Sequence, residues 1–328
     1  MRKMSSSKLL EKCARYKAKG KALDFVEEIY RLNKIIESLR IDIGKDAINL
    51  FYKKATRKKS TEANKTRETI INNIIGDSIP QDYYNNDRWA SVRDSLFNTV
   101  SKMGFDCDSL KCMVKGGRGC KYDFVFRDSH ISKNIEFKFN VKSLDKCSQF
   151  LQISCDKFTD TSFSELFYDE YYPKLFKVCS GHGKIYPINK KDYMKYVKQN
   201  DFDKHPYFRS MKNVGNRVTN FRKEVSEEAI EKYILKIIKN VNLREVNEIL
   251  KSQLDKEFLL YDMDTAQFYH QVIGPENFRV VSHSPRKTNG KFKRIVFKTR
   301  GDYNIEFLLR WKNMNCILYP AWQISLKK

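Results

Sequence analysis

Two short segments near the middle of the chain, YDFVF at residues 122–126 and IEFKF at residues 135–139, decide its fold class. In both segments apolar and aromatic residues alternate with polar or charged ones, which is the pattern of β-strands. The polar link between them, residues 127–134, fits a turn with a few flanking residues. The two segments therefore predict a β-hairpin that turns near residues 129–131.

The second strand of this hairpin predicts one charged face and one apolar face. Glu136 and Lys138 are two residues apart, so they lie on the same side of a strand, while the aromatic residues between and beside them point into a core. Asp123 on the first strand then lies opposite Glu136 or Lys138, depending on the register. Three charged groups converge beside an apolar face, which is unusual for a surface hairpin. The plain alternative is such a hairpin with a Glu/Lys pair.

The residue types in this cluster suit phosphoryl chemistry. Magnesium prefers carboxylate and water oxygens and usually takes one or two carboxylates from the protein, here Asp123 and Glu136. A bound metal lowers the pKa of water and stabilises charge on a phosphoryl group. The Lys138 ammonium group can orient the attacking water or neutralise the phosphate in the transition state.

The spacing, an Asp followed by Glu-x-Lys on the next strand, resembles the PD-(D/E)XK nuclease superfamily over roughly residues 87–158. The family's Asp, Glu and Lys fall on Asp123, Glu136 and Lys138, and Tyr122 stands where the family motif has proline. The resemblance implies a nuclease core of mixed β-sheet flanked by helices. It also implies a Mg²⁺ or Mn²⁺ cofactor, with the Phe137 carbonyl as a further ligand, and products with 5′-phosphate and 3′-hydroxyl ends.

The same superfamily often takes another acidic residue from a helix that precedes the first core strand. Residues 87–103 predict such a helix, but Asp87 and Asp94 lie nearly opposite its apolar stripe and are expected to face solvent. Glu68, on an earlier predicted helix at residues 61–75, sits at the edge of that helix's apolar face. The choice among these three carboxylates stays open.

Three further residues are candidates for substrate binding. Arg118 stands among three glycines that allow a close backbone approach to a phosphate, although a tight hairpin turn is the commoner role of such glycines. The segment lacks the G-K-[ST] ending of a phosphate-binding loop, so ATP binding is not expected. In the superfamily a polar residue on the element after the lysine strand can support the active site, and the resemblance makes Lys142 and Gln149 the candidates here.

Composition agrees with a nucleic-acid substrate. The chain of 328 residues has 63 Lys+Arg against 40 Asp+Glu, a net charge of +23, which attracts polyanions in a salt-dependent way. A lysine-rich genome bias is an alternative source of that charge. The chain contains no apolar run long enough to cross a bilayer and no apolar signal region near its start, so no membrane partner is expected. Its 8 cysteines form no C-x-x-C pair, and an intracellular location is expected.

The predicted fold class is α+β, in three regions. Residues 1–80 form a helical N-terminal region with a basic run at 53–59. Residues 81–225 form the nuclease core and end in a basic linker or DNA-contacting loop at 200–223. Residues 226–328 start with a helix capped by Ser226 and a second one capped by Asn242, and they continue as an antiparallel β-rich module with a hairpin turn at Asn289 and Gly290.

A second resemblance is to nuclease-like proteins of large eukaryotic DNA viruses. It is carried by GGR at 116–118, YDF at 122–124, EFKF at 136–139, LRWKN at 309–313 and PAWQI at 320–324. It implies a viral protein in the nucleus or cytoplasm of an infected host cell.

The sequence therefore predicts a metal-dependent DNA endonuclease of restriction or homing type. One alternative is an RNA endonuclease, since related cores also cut RNA. Another is a nucleic-acid-binding protein that keeps a nuclease-like core without cutting, and a third is a structural protein whose charge reflects genome bias. Cutting both strands of a duplex requires two active sites, so a homodimer is an open possibility.

Overall fold

The computed structural model describes residues 43–54, 60–115, 121–199, 204–311, 316–317 and 320–328. The chain divides into two compact units, Met1–Lys133 and Asn134–Lys328. The predicted helical stretch before residue 43, most of the basic run at 53–59 and the Arg118 loop lie outside the described residues.

The first unit is built on helices whose apolar residues repeat at helical spacing. They are α1 (Ala47–Phe51), α2 (Ser60–Ile75) and α3 (Asp87–Lys102), and the last two match the predicted helices closely. Arg67 on α2 is buried and ties α2 to the end of α1, because its Nε donates to the Phe51 carbonyl at 3.0 Å. Burial lowers the Arg67 pKa to about 10.

Strands β1 (Lys111–Val114) and β2 (Phe124–Arg127) pair in antiparallel fashion in the first unit. The turn after β2 is organised by Asp128. One oxygen of its carboxylate accepts hydrogen bonds from the backbone N–H groups of His130 and Ile131, both at 2.7 Å. The other oxygen accepts from the Asp106 N–H at 2.8 Å. The predicted turn near residues 129–131 is confirmed.

Strand β3 (Ser132–Phe139) begins at the end of the first unit and continues into the second. In the second unit it pairs in parallel with β5 (Lys256–Asp262), so that Glu136 is level with Phe258. Strand β6 (Gln267–Gln271) pairs with β5 in antiparallel fashion. The strand order of this sheet is β1-β2-β3-β5-β6, with both parallel and antiparallel pairs.

Six further helices of the second unit cover its sheets. They are α4 (Phe163–Glu170), α5 (Tyr172–Ser180), α6 (Lys190–Gln199), α7 (Pro206–Gly215), α8 (Thr219–Ile237) and α9 (Leu243–Lys251). Asn242 caps α9 as predicted, accepting from the Glu245 N–H at 3.2 Å.

The predicted linker at residues 200–223 is wrong over its described part, because α7 and the start of α8 occupy it. Tyr207, Phe208 and Met211 of α7 are fully buried, so this basic segment still supplies a core face. The expected helix start at Ser226 is also wrong. Ser226 lies inside α8, and its hydroxyl donates to the Lys223 carbonyl at 2.9 Å instead of capping the helix.

A second sheet is entirely antiparallel. Its order is β4-β10-β9-β8-β7, formed by β4 (Leu151–Ser154), β7 (Val280–Thr288), β8 (Lys291–Thr299), β9 (Asn304–Trp311) and β10 (Pro320–Lys327). The predicted turn between β7 and β8 is confirmed, with Asn289 and Gly290 both at positive φ. The aromatic residues Phe297, Phe307 and Trp322 are fully buried in this unit's core.

The α+β fold class is confirmed, with one mixed and one antiparallel sheet. The strands of the C-terminal region do not all belong to one antiparallel module, however. Strands β5 and β6 extend the mixed sheet that contains β3, while β4, from the predicted core, extends the antiparallel one. The predicted three-region division of the chain stays a prediction.

Candidate functional site

Glu136 and Lys138 lie side by side on one face of β3. The Lys138 ammonium group donates to Glu136 Oε1 at 2.5 Å, and the two side chains are 21% and 13% exposed respectively. Ile135 and Phe137 point to the other side and are buried. The strand alternation read from the sequence therefore places these two charged residues together as expected.

Lys256, at the start of β5, completes the surroundings of the Glu136 carboxylate. Its Nζ lies 3.1 Å from Glu136 Oε2, and its side chain is only 2% exposed. The ammonium group also sits 5.5 Å from the centroid of the Phe258 ring. Each oxygen of Glu136 thus contacts one ammonium group. The sequence analysis missed Lys256, which is 120 residues away from Glu136.

The first predicted ligand, Asp123, precedes β2 in the first unit and is partly buried. Its backbone carbonyl accepts a hydrogen bond from the Lys115 N–H at 2.7 Å, which fixes the chain at the entry to the strand. Glu136 and Lys138 belong to the second unit. The convergence of Asp123 with these two residues stays a prediction.

The three helix-borne carboxylates differ in exposure. Asp87 and Asp94 on α3 are exposed, and Asp94, 65% exposed, pairs with Arg93 at 2.9 Å. Both positions agree with the solvent-facing side predicted from the helical wheel. Glu68 on α2 is partly buried, unlike the other two.

Lys142 and Gln149 lie at different places in the second unit. Lys142 is exposed after β3, with its ammonium group 5.8 Å from the centroid of the Tyr269 ring. Gln149 precedes β4 and donates to Gln152 at 3.4 Å, so it belongs to the antiparallel sheet and not to the strand pair that carries Glu136. Arg118 lies outside the described residues.

The donor chemistry at Glu136 suits a divalent cation. Within the described parts of the chain, no group of three or more His, Cys, Asp or Glu side chains converges to hold a metal ion. Magnesium usually takes only one or two protein carboxylates, and its binding by Asp123 and Glu136 stays a prediction. Phe137, whose carbonyl is the third predicted ligand, lies in β3 level with Leu259.

The two lysines beside Glu136 affect how its carboxylate would bind a cation. Both of its oxygens already contact ammonium groups, which supply two positive charges, the same charge as Mg²⁺. A cation that binds Glu136 either shares an oxygen with a lysine, through the second lone pair of that oxygen, or displaces the lysine from it.

Comparison with known proteins assigns no family to this chain. It has no significant match to a protein-family model, to a curated protein or to a solved structure. The PD-(D/E)XK assignment therefore stays a resemblance carried by the residues described above. Among the helices in the part of the chain that the structure describes, none is long and apolar enough to cross a membrane.

Proposed function

We propose that this chain is a metal-dependent endonuclease that hydrolyses phosphodiester bonds in DNA. The observation that carries the proposal is the shielded contact between Glu136 and Lys138 on one face of β3. A carboxylate for a metal and an ammonium group for a phosphate are thereby held on a rigid strand. The mixed sheet around β3 and the net charge of +23 support the same function.

In this function Asp123 and Glu136 hold Mg²⁺ or Mn²⁺, with the Phe137 carbonyl as a further ligand. The bound cation lowers the pKa of water and offsets charge on the phosphate. Lys138 orients the attacking water or contacts a phosphate oxygen as charge develops there. The water oxygen bonds to phosphorus and loses a proton to solvent, the bond from phosphorus to the 3′-oxygen breaks, and the leaving 3′-oxygen takes up a proton from solvent. The products carry a 5′-phosphate and a 3′-hydroxyl.

The test separates metal binding from cleavage. Metal binding is measured by calorimetry with Mg²⁺ and Mn²⁺, and cleavage is measured on supercoiled and linear DNA with each metal and with EDTA. We expect Glu136→Gln to lose both metal binding and cutting. Lys138→Met should keep metal binding, because both carboxylates remain, and should lower the cleavage rate at least 100-fold.

Glu257→Gln is the matched control for Glu136→Gln. Glu257 lies on the neighbouring strand β5, is 20% exposed and contacts His270 at 2.6 Å, so its loss removes a partly buried carboxylate and its side-chain contact outside the site. It should bind metal and cut like the wild type. Circular dichroism and thermal unfolding establish that each variant is folded. Equal cutting by wild type and Glu136→Gln would refute the site.

A second function, nucleic-acid binding without cleavage, is favoured by the double lysine contact of Glu136. Because both carboxylate oxygens already contact ammonium groups, the charge of Glu136 is compensated without a metal. That function predicts salt-sensitive binding that is the same in Mg²⁺ and in EDTA, with no product from any substrate.

Matched DNA and RNA strands in the same assay separate a DNA endonuclease from an RNA endonuclease.

A further inference from the structure

A cleft of about 750 Å³ opens in the second unit, within the same unit as Glu136 but built from other elements. Its walls are the end of β4 with the loop that follows, the first turn of α4 and one face of α6. The volume lies within the range of ordinary ligand sites, about 300–1,000 Å³. Four lysines line it: Lys157, Lys191, Lys195 and Lys198.

Three of these lysines form a stripe on α6. Lys191, Lys195 and Lys198 are spaced at i, i+4 and i+7, which places them on one face of the helix. In the described residues, no carboxylate forms an ion pair with any of the three or with Lys157. Their neighbour Lys190, by contrast, pairs with Asp169 at 2.8 Å. The helix therefore directs its uncompensated charges toward the cleft.

The cleft wall also carries a hydroxyl group. Ser164, in the first turn of α4, is 3% exposed as a residue and lines the cleft, where its hydroxyl can donate a hydrogen bond. Ser164 therefore offers a hydrogen bond from inside a site that is rimmed by ammonium groups.

One carboxylate, Asp156, also lines the cleft and opposes an anion there. Its Oδ1 accepts a hydrogen bond from the Phe163 N–H at 2.7 Å and lies 3.4 Å from the Cys155 sulfur. One oxygen of the Asp156 carboxylate is therefore already hydrogen-bonded to the first residue of α4. Burial raises the Asp156 pKa above the ordinary aspartate value. Four lysines against this single carboxylate leave the cleft strongly positive.

We propose that this cleft binds successive phosphates of one nucleic-acid strand, with the lysine stripe of α6 along the backbone and Ser164 donating to a phosphate oxygen. The choice of nucleic acid as the ligand rests on the proposed function. The stripe spans two turns of helix, about 10 Å along its axis. That length suits two adjacent phosphates of an extended strand better than one isolated phosphate.

The test is oligonucleotide binding in EDTA, where cleavage plays no part, measured by fluorescence anisotropy between 50 and about 300 mM salt. Removal of the stripe by the triple variant Lys191→Gln, Lys195→Gln, Lys198→Gln should weaken binding at least tenfold at about 100 mM salt. It should also make the slope of log K against log salt shallower by about 2, since roughly 0.7–0.9 is lost for each phosphate contact.

The matched control removes the same charge from exposed lysines outside the cleft, with Lys236→Gln, Lys239→Gln and Lys251→Gln. It should weaken binding less than threefold, and equal loss in both triples would refute the cleft. Ser164→Ala, which conserves the helix, should weaken binding about threefold. Displacement of the oligonucleotide by a mononucleotide or inorganic phosphate at an equal phosphate concentration would instead identify a small-ligand site and overturn the proposal.

The binding test and the cleavage test fail independently. If the lysine-stripe triple loses binding while no condition gives cutting, the cleft stands and the proposed endonuclease falls. If the triple binds like the wild type while Glu136→Gln abolishes metal-dependent cutting, the endonuclease stands and the cleft proposal falls.

Discussion

At the scale of single residues, the Glu136 carboxylate lies between two ammonium groups, those of Lys138 and Lys256. Its contact with Lys138 follows from strand geometry alone, because residues two apart share a face. Lys256 could not be found in the same way. The contact between Lys256 and Glu136 depends on the register of two parallel strands that are far apart in the chain. A lysine just before an apolar strand is usually interpreted as a solvent-exposed residue at the strand end.

The buried position of Lys256 gives a prediction for stability. Loss of one partner from a buried ion pair typically costs about 3–5 kcal/mol, because a buried charge loses its compensation. We expect Glu136→Gln to lower the free energy of unfolding by up to about 3 kcal/mol. Lys256→Met should change it by less than about 1 kcal/mol, because Glu136 keeps its contact with Lys138.

A double-mutant cycle measured by urea denaturation checks this coupling. The double variant Glu136→Gln, Lys256→Met should recover a large part of the stability lost in Glu136→Gln, since it carries no buried ammonium group at position 256. The pair Glu257 and His270 on the neighbouring strands gives a reference cycle. Strictly additive losses at Glu136 and Lys256 would show that the 3.1 Å contact contributes nothing.

At the scale of secondary-structure elements, the sequence predicted those whose signals are local. Helices α2 and α3 carry clear apolar stripes, and the Asn289 and Gly290 turn has its own chemistry. The prediction of a linker at 200–223 was wrong because the many basic residues of this segment obscured the pattern of aromatic residues that α7 buries. The assignment of β5 to the mixed sheet could not be predicted either, because the pairing is set by long-range packing and not by local pattern.

The turn between β2 and β3 gives a prediction for pH dependence. Backbone N–H groups of Ile131, Asp106 and His130 donate to the Asp128 carboxylate and lower its pKa from the ordinary aspartate value. A lowered carboxyl pKa stabilises the folded protein above the unfolded-state value of about 4, and this stabilisation is lost as the pH falls through the folded-state pKa. Asp128→Asn should therefore be less stable than wild type at pH 7.

Denaturant unfolding of wild type and Asp128→Asn between pH 7 and about pH 2 measures this difference. The two stabilities should converge below about pH 4, because the wild type loses the charged form of Asp128 there while asparagine does not titrate. Carboxylates far from Asp128 titrate in both proteins and cancel in the comparison, whereas the charge of Asp128 also raises the Asp106 pKa, so part of the difference belongs to that pair. A constant difference across the whole range would mean that the hydrogen bonds do not depend on the charge of Asp128.

At the scale of the whole molecule, the net charge of +23 is the property that sequence alone gives in full, but it does not by itself identify a partner. Charge attracts any polyanion, and a genome biased toward lysine codons produces the same number without selection for binding. What distinguishes the two origins is the organisation of the charge. The lysines of the α6 stripe lie on one helix face and form no ion pairs within the described residues. Lys293, by contrast, is paired with Glu227, so its charge is compensated locally.

Organised charge predicts that DNA binding persists at physiological salt. A protein with about six phosphate contacts has a slope of log K against log salt near −5, so raising the salt from 50 to 200 mM weakens binding by about 10³-fold. We expect a slope of that order for a duplex or single strand in EDTA, with a dissociation constant still in the micromolar range at about 150 mM salt. Anisotropy titrations over this range measure both quantities. A slope shallower than about −2, or binding that vanishes by 100 mM, would assign the charge to composition bias. Since few phosphates would then be contacted, the nuclease proposal would lose its electrostatic support while the geometry at Glu136 would be left unchanged.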